Sequence, residues 1–295
     1  RPVKMVMSRE EVFKASGPTC ATSMDVKIGA KKDGTITAAF IECRYSDGPF
    51  PGIWGMLGGM TAWACYDLKN CKAVGVDVLV NRPKVAAYRA PSAPMMAFGV
   101  ESTIDQLAKE LDIDPVELRL RNVAKEGTRS SYGPIYGPIG IEPTLEAVRD
   151  HPHMRAKLRK NQGRGMASGF WFNIGGQTCS DLNIGVDGTV NLTVGTVDVG
   201  GARASLSLIA AEELGIPYDQ VKTNIGDTSS LGHNDTTEGS RGTFSSGMAT
   251  IFAAREAIEV MKSRAAQMWG IPEDAVEWKD GEARAVGAEH GNLPA

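Results

Sequence analysis

The sequence has no Cys-x-x-Cys pair. Its five cysteines, Cys20, Cys43, Cys65, Cys71 and Cys179, are odd in number and irregular in spacing. That argues against a disulfide framework and against a zinc or iron–sulfur site built within this chain. Free buried thiols in a reducing compartment, the cytoplasm, account for them. Histidine is scarce too: His151 and His153 flank a proline, and His233 and His290 stand alone, so no histidine-based metal site is expected. No apolar run reaches the length of a membrane span, and no charged head followed by an apolar core marks a secretion signal. An excess of one charge is also missing. With 32 Lys and Arg against 35 Asp and Glu, the net charge of -3 gives no global reason for nucleic acid or an anionic membrane as partner. The first residue is Arg1 and the last are Leu293-Pro294-Ala295, which reads as a chain cut at both ends.

What the chain does have is apolar sequence enough for a substantial core. At 295 residues and 42% hydrophobic it most naturally forms two domains. Residues 25–30 and 31–41 read as two strands about Asp33-Gly34, a pair that tolerates positive φ. A strand over 73–80 leads across Asn81-Arg82-Pro83 to a loop at Tyr88-Arg89. Phe98, Ile104, Leu107, Ala108 and Leu111 fall at helical spacing and predict an amphipathic helix over about 95–111. Asp114 then caps a short helix that has Pro115 and Glu117 in its first turn. From Gly127 to Gln162 the chain is rich in Gly, Pro and charge, a connector with one short helix over 143–148. A second hairpin signal follows about Asp187-Gly188. Two later helices end at Leu214-Gly215-Ile216-Pro217 and Trp269-Gly270-Ile271-Pro272, each before a strand. The expectation is an α+β fold of two mixed lobes, 1–126 and 163–295, joined by 127–162.

Three stretches couple small residues to an arginine: Tyr88 to Pro94, Val197 to Arg203 and Glu238 to Thr243. Small residues let a ligand approach the backbone, and arginine offers a forked pair of donors to phosphate. Gly200-Gly201 ends a strand and opens a helix from about Arg203. The third stretch opens a helix from about Ser245 to Met268, with Met248, Ile251, Ala254, Ile258, Met261 and Ala265 as its buried stripe. Helix starts of this kind favour an anion. Each loop alone reads equally well as a turn that packs a strand on a helix. Glu238 is an unfavourable neighbour for phosphate unless it pairs with Arg241.

Taken in order, further motifs accompany these loops. They are Arg1-Pro2-Val3-Lys4 with Ser8-Arg9-Glu10-Glu11, Ala87 to Pro91, Glu101 to Leu107, Asp114 to Asn122, Asp187-Gly188-Thr189, Ala210 to Pro217, Gly226-Asp227-Thr228 and Gly239-Ser240-Arg241. Colinear over essentially the whole chain, they resemble the molybdenum-binding large subunit of the xanthine dehydrogenase and aldehyde oxidoreductase family. The resemblance implies molybdopterin with molybdenum, in the cytosine dinucleotide form, held through its dithiolene so that no side chain need ligate the metal. It implies oxidative hydroxylation of an aldehyde or an N-heterocyclic carbon, a small-molecule substrate, with water as oxygen source. Iron–sulfur clusters and FAD are then expected on partner subunits or domains.

By position in that family, Arg89 and Ala90 look like the segment beside the metal's oxygen ligands. Gly200, Gly201, Ala202 and Arg203 look like the pterin and phosphate loop, and Gly239, Ser240, Arg241, Gly242 and Thr243 like the loop beneath the metal. Pro91 and Phe170 fall on the substrate side. No catalytic residue is expected in this chain, because the family's base glutamate is expected beyond Ala295. The chain departs from the family at Ala202, where many members have glutamine, and at Pro91, where many have an aromatic. No cysteine occupies 89–92, which disfavours the carbon monoxide dehydrogenase branch. The departures leave open a second reading, a cofactor-free binding or assembly module.

Overall fold

Asp33 and Gly34 turn the chain back on itself, as their φ tolerance requires: the Asp33 carboxylate accepts the Thr35 N–H at 2.9 Å and Gly34 takes φ 88°. In the computed structural model, which describes residues 5–287, helix α1 (Arg9–Ala15) comes first, closed by a reciprocal capping box of Ser8 and Glu11. Strands β1 (Thr22–Ala30) and β2 (Ile36–Gly48) then pair antiparallel about the turn. Alternation along β2 buries Ile41, Cys43 and Tyr45. Helix α2 (Trp54–Thr61) crosses over, and β3 (Cys71–Leu79) returns parallel to β2, giving the order β1-β2-β3. The crossover is tight: a Cβ built on Gly75 would stand 2.0 Å from the Gly55 carbonyl oxygen, so only paired glycines let α2 lie on β3.

Helix α3 (Ala93–Leu111) covers β1 and buries Met96, Val100, Ile104 and Ala108, a stripe at helical spacing. Helix α4 (Pro115–Asn122) starts where Asp114 accepts the N–H groups of Val116 and Glu117 at 2.8 and 3.2 Å. Its last residue, Asn122, accepts the Ile36 N–H and donates to the Gly34 carbonyl, both at 2.9 Å, which locks the helix onto the hairpin turn. Arg119, fully buried, pairs with Glu101 of α3 at 2.8 Å. The motif residues Glu101, Asp114, Arg119 and Asn122 therefore hold helices together.

The chain divides into two compact units between Trp171 and Phe172, so residues 127–162 count with the first. There α5 (Ile141–Asp150) packs on α4, followed by the single turn α6 (Pro152–Arg155), and Tyr136 donates its hydroxyl to the Ala64 carbonyl at 2.9 Å.

The second unit repeats the plan of the first. Strands β4 (Ser180–Ile184) and β5 (Val190–Val194) form a hairpin about Asp187-Gly188. Helix α7 (Ala202–Leu214) crosses over, β6 (Val221–Ile225) returns parallel to β5, and the long helix α8 (Arg241–Trp269) follows. A terminal hairpin, β7 (Val276–Lys279) and β8 (Glu282–Ala285), contacts α8. Gly215 and Gly270 end α7 and α8 in the left-handed region, at φ 73° and 67°, as the glycine-proline spacing predicts. Leu192, Leu206 and Leu214 form the core, each contributing about 1.5–3 kcal/mol by burial.

Three expectations change. Helix α8 begins at Arg241, four residues before the sequence places it. Its buried face is Ser245, Ser246, Gly247, Thr250, Ala254 and Ala266, whereas Met248 is 38% exposed, because α7 approaches so closely that a Cβ on Gly247 would stand 3.0 Å from Ile209. Periodicity misses α1 and α2, which lack an apolar stripe. The motif Arg1–Lys4, His290 and the end at Leu293–Ala295 lie outside the described residues.

Candidate functional site

In the first unit the candidate loop is reached by an arch over 80–88 that is pinned along its length. Val80 N–H donates to Gly48, Val85 N–H to Asp47 and Ala86 N–H to Pro18, at 2.9, 3.3 and 3.2 Å. A Cβ on Gly48 would lie 2.7 Å from the Pro83 carbonyl oxygen, so the arch rests directly on the end of β2. Beyond it Arg89, Ala90 and Ser92 all take positive φ, 24°, 52° and 71°. Such non-glycine residues carry about 1–2 kcal/mol of strain apiece, and such strain concentrates at functional sites. The Ala93 N–H closes the turn onto the Ala90 carbonyl at 3.0 Å and α3 starts, with Ser92 buried and Pro91 half-buried. The Arg89 side chain is exposed and, among the described residues, meets no hydrogen-bond or ion-pair partner.

In the second unit, Gly200 and Gly201 follow β5 at φ 62° and 84°, and a Cβ added to either would meet open space. Among the described residues their N–H groups reach no acceptor. Asp198, which no motif in the sequence marks, holds the start of the helix: it accepts the Arg203 N–H at 3.2 Å and pairs with the Arg203 guanidinium at 3.3 Å. Arg203 is thus turned onto its own loop, and Ala202 is buried at the helix start.

Arg241 contradicts the expectation that it faces phosphate. Only 4% exposed, it donates Nε to the Gly175 carbonyl at 2.7 Å and Nη1 to those of Asp235 and Thr236 at 2.8 and 3.3 Å; Nη2 donates to the Gln177 carbonyl. Its guanidinium is a brace between the 175–177 and 235–236 segments. Asn234 stitches the same loops, accepting from Thr178 Oγ1 and the Cys179 N–H at 2.6 and 2.9 Å. Gly239 has no room for a side chain, since a Cβ would strike Ile174 at 2.4 Å, and Ser240 follows at φ 59°. What remains open is backbone: among the described residues the N–H groups of Gly242 and Thr243, in the first turn of α8, have no acceptor. Glu238 forms no ion pair with Arg241 among the described residues.

Carboxylates around this loop are held ionised. The Asp235 carboxyl sits below its ordinary value because it accepts the Gln177 N–H at 2.6 Å and then His233 Nε2 at 3.0 Å. Hydrogen bonds from the Ser229 and Ser230 side chains push Asp227 down to about 2. Phe170, in the first unit, packs 5.6 Å from the Tyr132 ring and 6.3 Å from that of Tyr136, against the unit's core. Among the described residues no group of three or more His, Cys, Asp or Glu is placed to hold a metal ion. Each unit by itself offers donors to an anionic group that brings its own metal ligands: in the second, backbone N–H groups beside open space, and in the first, the Arg89 guanidinium, which has no partner among the described residues.

Two sequence-family profiles match this chain, over residues 1–123 and 144–293, both described as molybdopterin cofactor-binding domain. The xanthine dehydrogenase molybdenum-binding subunit of Escherichia coli O157:H7 is 30% identical over 247 residues, covering 75% of this chain and 32% of that protein. The aldehyde oxidoreductase of Megalodesulfovibrio gigas is 28% identical over 265 residues, covering 82% and 28%. The chain therefore spans about a third of the length of these relatives. Among solved structures, the aldehyde oxidoreductase from Desulfovibrio desulfuricans superposes with a TM-score of 0.72 at 26% identity, covering 87% of this chain and 31% of that one. Quinoline 2-oxidoreductase from Pseudomonas putida 86 gives a TM-score of 0.83 at 19% identity, covering 98% and 41%, a likeness of fold.

Proposed function

The chain belongs to the molybdopterin cofactor-binding family of the xanthine dehydrogenase and aldehyde oxidoreductase large subunits, and on that premise we propose that it holds molybdopterin in a molybdenum-dependent oxidoreductase. The observation that carries this reading is the set of backbone donors in the second unit that reach no acceptor among the described residues: the N–H groups of Gly200, Gly201, Gly242 and Thr243. When bound, the molybdenum–pterin group supplies oxidation of a substrate carbon with water as oxygen source. The chain's residues hold and orient it. Gly200 and Gly201 leave room for the pterin and its phosphate to touch backbone, and Gly242 and Thr243 offer a second pair of amides at the positive end of α8. Arg241 acts from behind by fixing the path of 235–241. Arg89, with Ala90 in a strained turn, presents a forked cation to negative charge. Pro91, beside them, is the candidate wall on the substrate side.

The finer reading is a cytosine dinucleotide form of the cofactor, an aldehyde or N-heterocyclic substrate, and iron–sulfur and flavin partners in the cytoplasm. The test is expression of the full-length subunit in a host that makes the cofactor, with molybdenum, pterin and acid-released CMP measured together. Stoichiometric molybdenum with CMP supports the reading. Correctly folded protein without molybdenum or pterin would favour the cofactor-free module.

A further inference from the structure

We infer that the free edge of β4, together with the face of α8 beside it, receives an extended peptide strand of a partner protein, one that turns a basic, an apolar and an acidic residue toward α8. The sheet order leaves β4 at an edge, paired only with β5. Bonds from the Gly195 N–H to the Cys179 carbonyl and from the Gly185 N–H to the Thr189 carbonyl fix the alternation, so that Asp181 and Asn183 bond β5. Ser180, Leu182 and Ile184 therefore turn their N–H and C=O groups outward, where among the described residues nothing bonds them.

Exposed edges are normally blunted by a bulge, a proline or a lysine. β1, in the same place of the first unit's plan, has Lys27 and a register shift at Gly29/Ala30. β4 has none of these, and its register with β5 runs without a shift.

Beyond this edge α8 supplies a floor. A groove of about 390 Å³ lies between β4 and the α8 residues Ala253, Glu256, Ala257, Val260 and Arg264, room for the side chains of a short strand. It shares no residue with the loops proposed to hold the cofactor. The small alanines keep it open, and Val260 is left 53% exposed. The Ser180 hydroxyl oxygen is buried in its wall with no hydrogen-bond partner among the described residues.

The charges on the floor name the partner's pattern. Glu256 and Arg264 are exposed and, among the described residues, meet no hydrogen-bond or ion-pair partner. Residues 256 and 264 are about 12 Å apart by helical rise, with Val260 midway between them. In a strand, residues i and i+4 share one face about 13 Å apart, with i+2 between them. A strand with Lys, an apolar residue and Glu at those positions would meet Glu256, Val260 and Arg264 together while its backbone bonds the outward groups of β4.

The test is titration of the 295-residue chain with two blocked heptapeptides, Thr-Lys-Thr-Val-Thr-Glu-Thr and the same sequence with Lys and Glu exchanged, read by calorimetry and by amide hydrogen exchange. Strand direction decides between them: one should saturate with a Kd below about 0.5 mM and the other bind about tenfold more weakly. Glu256→Lys combined with Arg264→Glu, both at exposed positions, should reverse the preference. N-methylation of the Val and of the Thr after it, which removes a ladder donor in either strand direction, should abolish binding. No variant is needed for the exchange measurement, in which peptide should slow the amides of Ser180, Leu182 and Ile184 severalfold more than those of Asp181 and Asn183. Absence of saturation by either peptide, equal affinity for both, an unchanged preference in the folded double variant, binding by the methylated peptide, or protection confined to other segments would each overturn the proposal. So would a dimer of the chain alone that protects the same three amides, since the edge would then serve a second copy.

Discussion

Ser92 and Ser240 occupy the same place in the two units. Each is the last residue before a long helix, each follows the third strand of a sheet of like topology, and each caps its helix from the left-handed region, at φ 71° and 59°, with no side-chain cap bond. The two units thus present strained loops at the same point of one plan, strand, strand, helix, strand, helix. Different residues support them: the Asp47 and Gly48 carbonyls pin the arch before Ser92, and Arg241 braces the loop before Ser240.

The arginines should separate by role. Arg241→Ala removes a buried cation and leaves backbone carbonyls without donors, which should cost about 3 kcal/mol or more and lower the melting temperature of the apo chain. Arg203→Ala loses an exposed pair worth less than about 1 kcal/mol. Equal melting of the two variants would contradict the brace.

Arg89→Ala should leave melting unchanged, since the side chain has no partner among the described residues. In the full subunit it should lower molybdenum and pterin content severalfold, as expected for loss of a charge-assisted bond of about 1.5–3 kcal/mol. Full occupancy in the variant would remove Arg89 from the cofactor site.

Glu101→Leu should destabilise the first unit by about 3 kcal/mol, because the buried Arg119 would keep only the half-exposed Asp105, 2.8 Å away, as its carboxylate partner. Glu101→Leu combined with Arg119→Met should recover part of that loss. A chemical denaturation series on the three chains reads both numbers, and a double variant worse than the single one would count against the pairing.

Gly58→Ala and Gly75→Ala should each cost more than about 2 kcal/mol, since the added carbon would stand 2.1 Å from the Tyr45 hydroxyl and 2.0 Å from the Gly55 carbonyl oxygen. Gly200→Ala meets open space and should cost only about 1 kcal/mol, from its positive φ. Thermal melts of the three variants give the ranking.

Acid should loosen the 226–240 loop before the cores. Asp227 and Asp235 titrate below the ordinary carboxylate value of 3.8 in the folded chain, so the stability they confer is complete above about pH 4 and lost as pH falls toward 2. Hydrogen exchange of the loop amides across that window should show the loss, and Asp227→Asn should flatten it. An exchange rate that does not change between pH 4 and 2, after correction for intrinsic chemistry, would refute the assignment.

Much of the fold is legible because it follows from local chemistry. Asp33-Gly34 and Asp187-Gly188 specify hairpins by φ, Gly215 and Gly270 stop helices, and Asp114 starts one. The role of Arg241 is not legible, because the carbonyls it serves lie more than 60 residues upstream as well as beside it, and nothing in a Gly-Ser-Arg string distinguishes a brace from an anion ligand. The same applies to Asp198: its spacing from Arg203 carries a capping signal only once α7 is known to begin at Ala202. The buried face of α8 is misread because small and polar residues, not large apolar ones, permit the close approach of α7.

The Glu101 carboxylate accepts from Tyr66, Arg119 and the Ser168 N–H, and so joins parts of the chain 35, 18 and 67 residues away. One buried group therefore makes the opening of these segments a single event: the extended 166–170 segment cannot peel away without exposing an ion pair, and it cannot dock until α3 and α4 are in register. In exchange experiments α3, α4 and this late segment should open together, with one free energy, as a cooperative block that closes the first unit last.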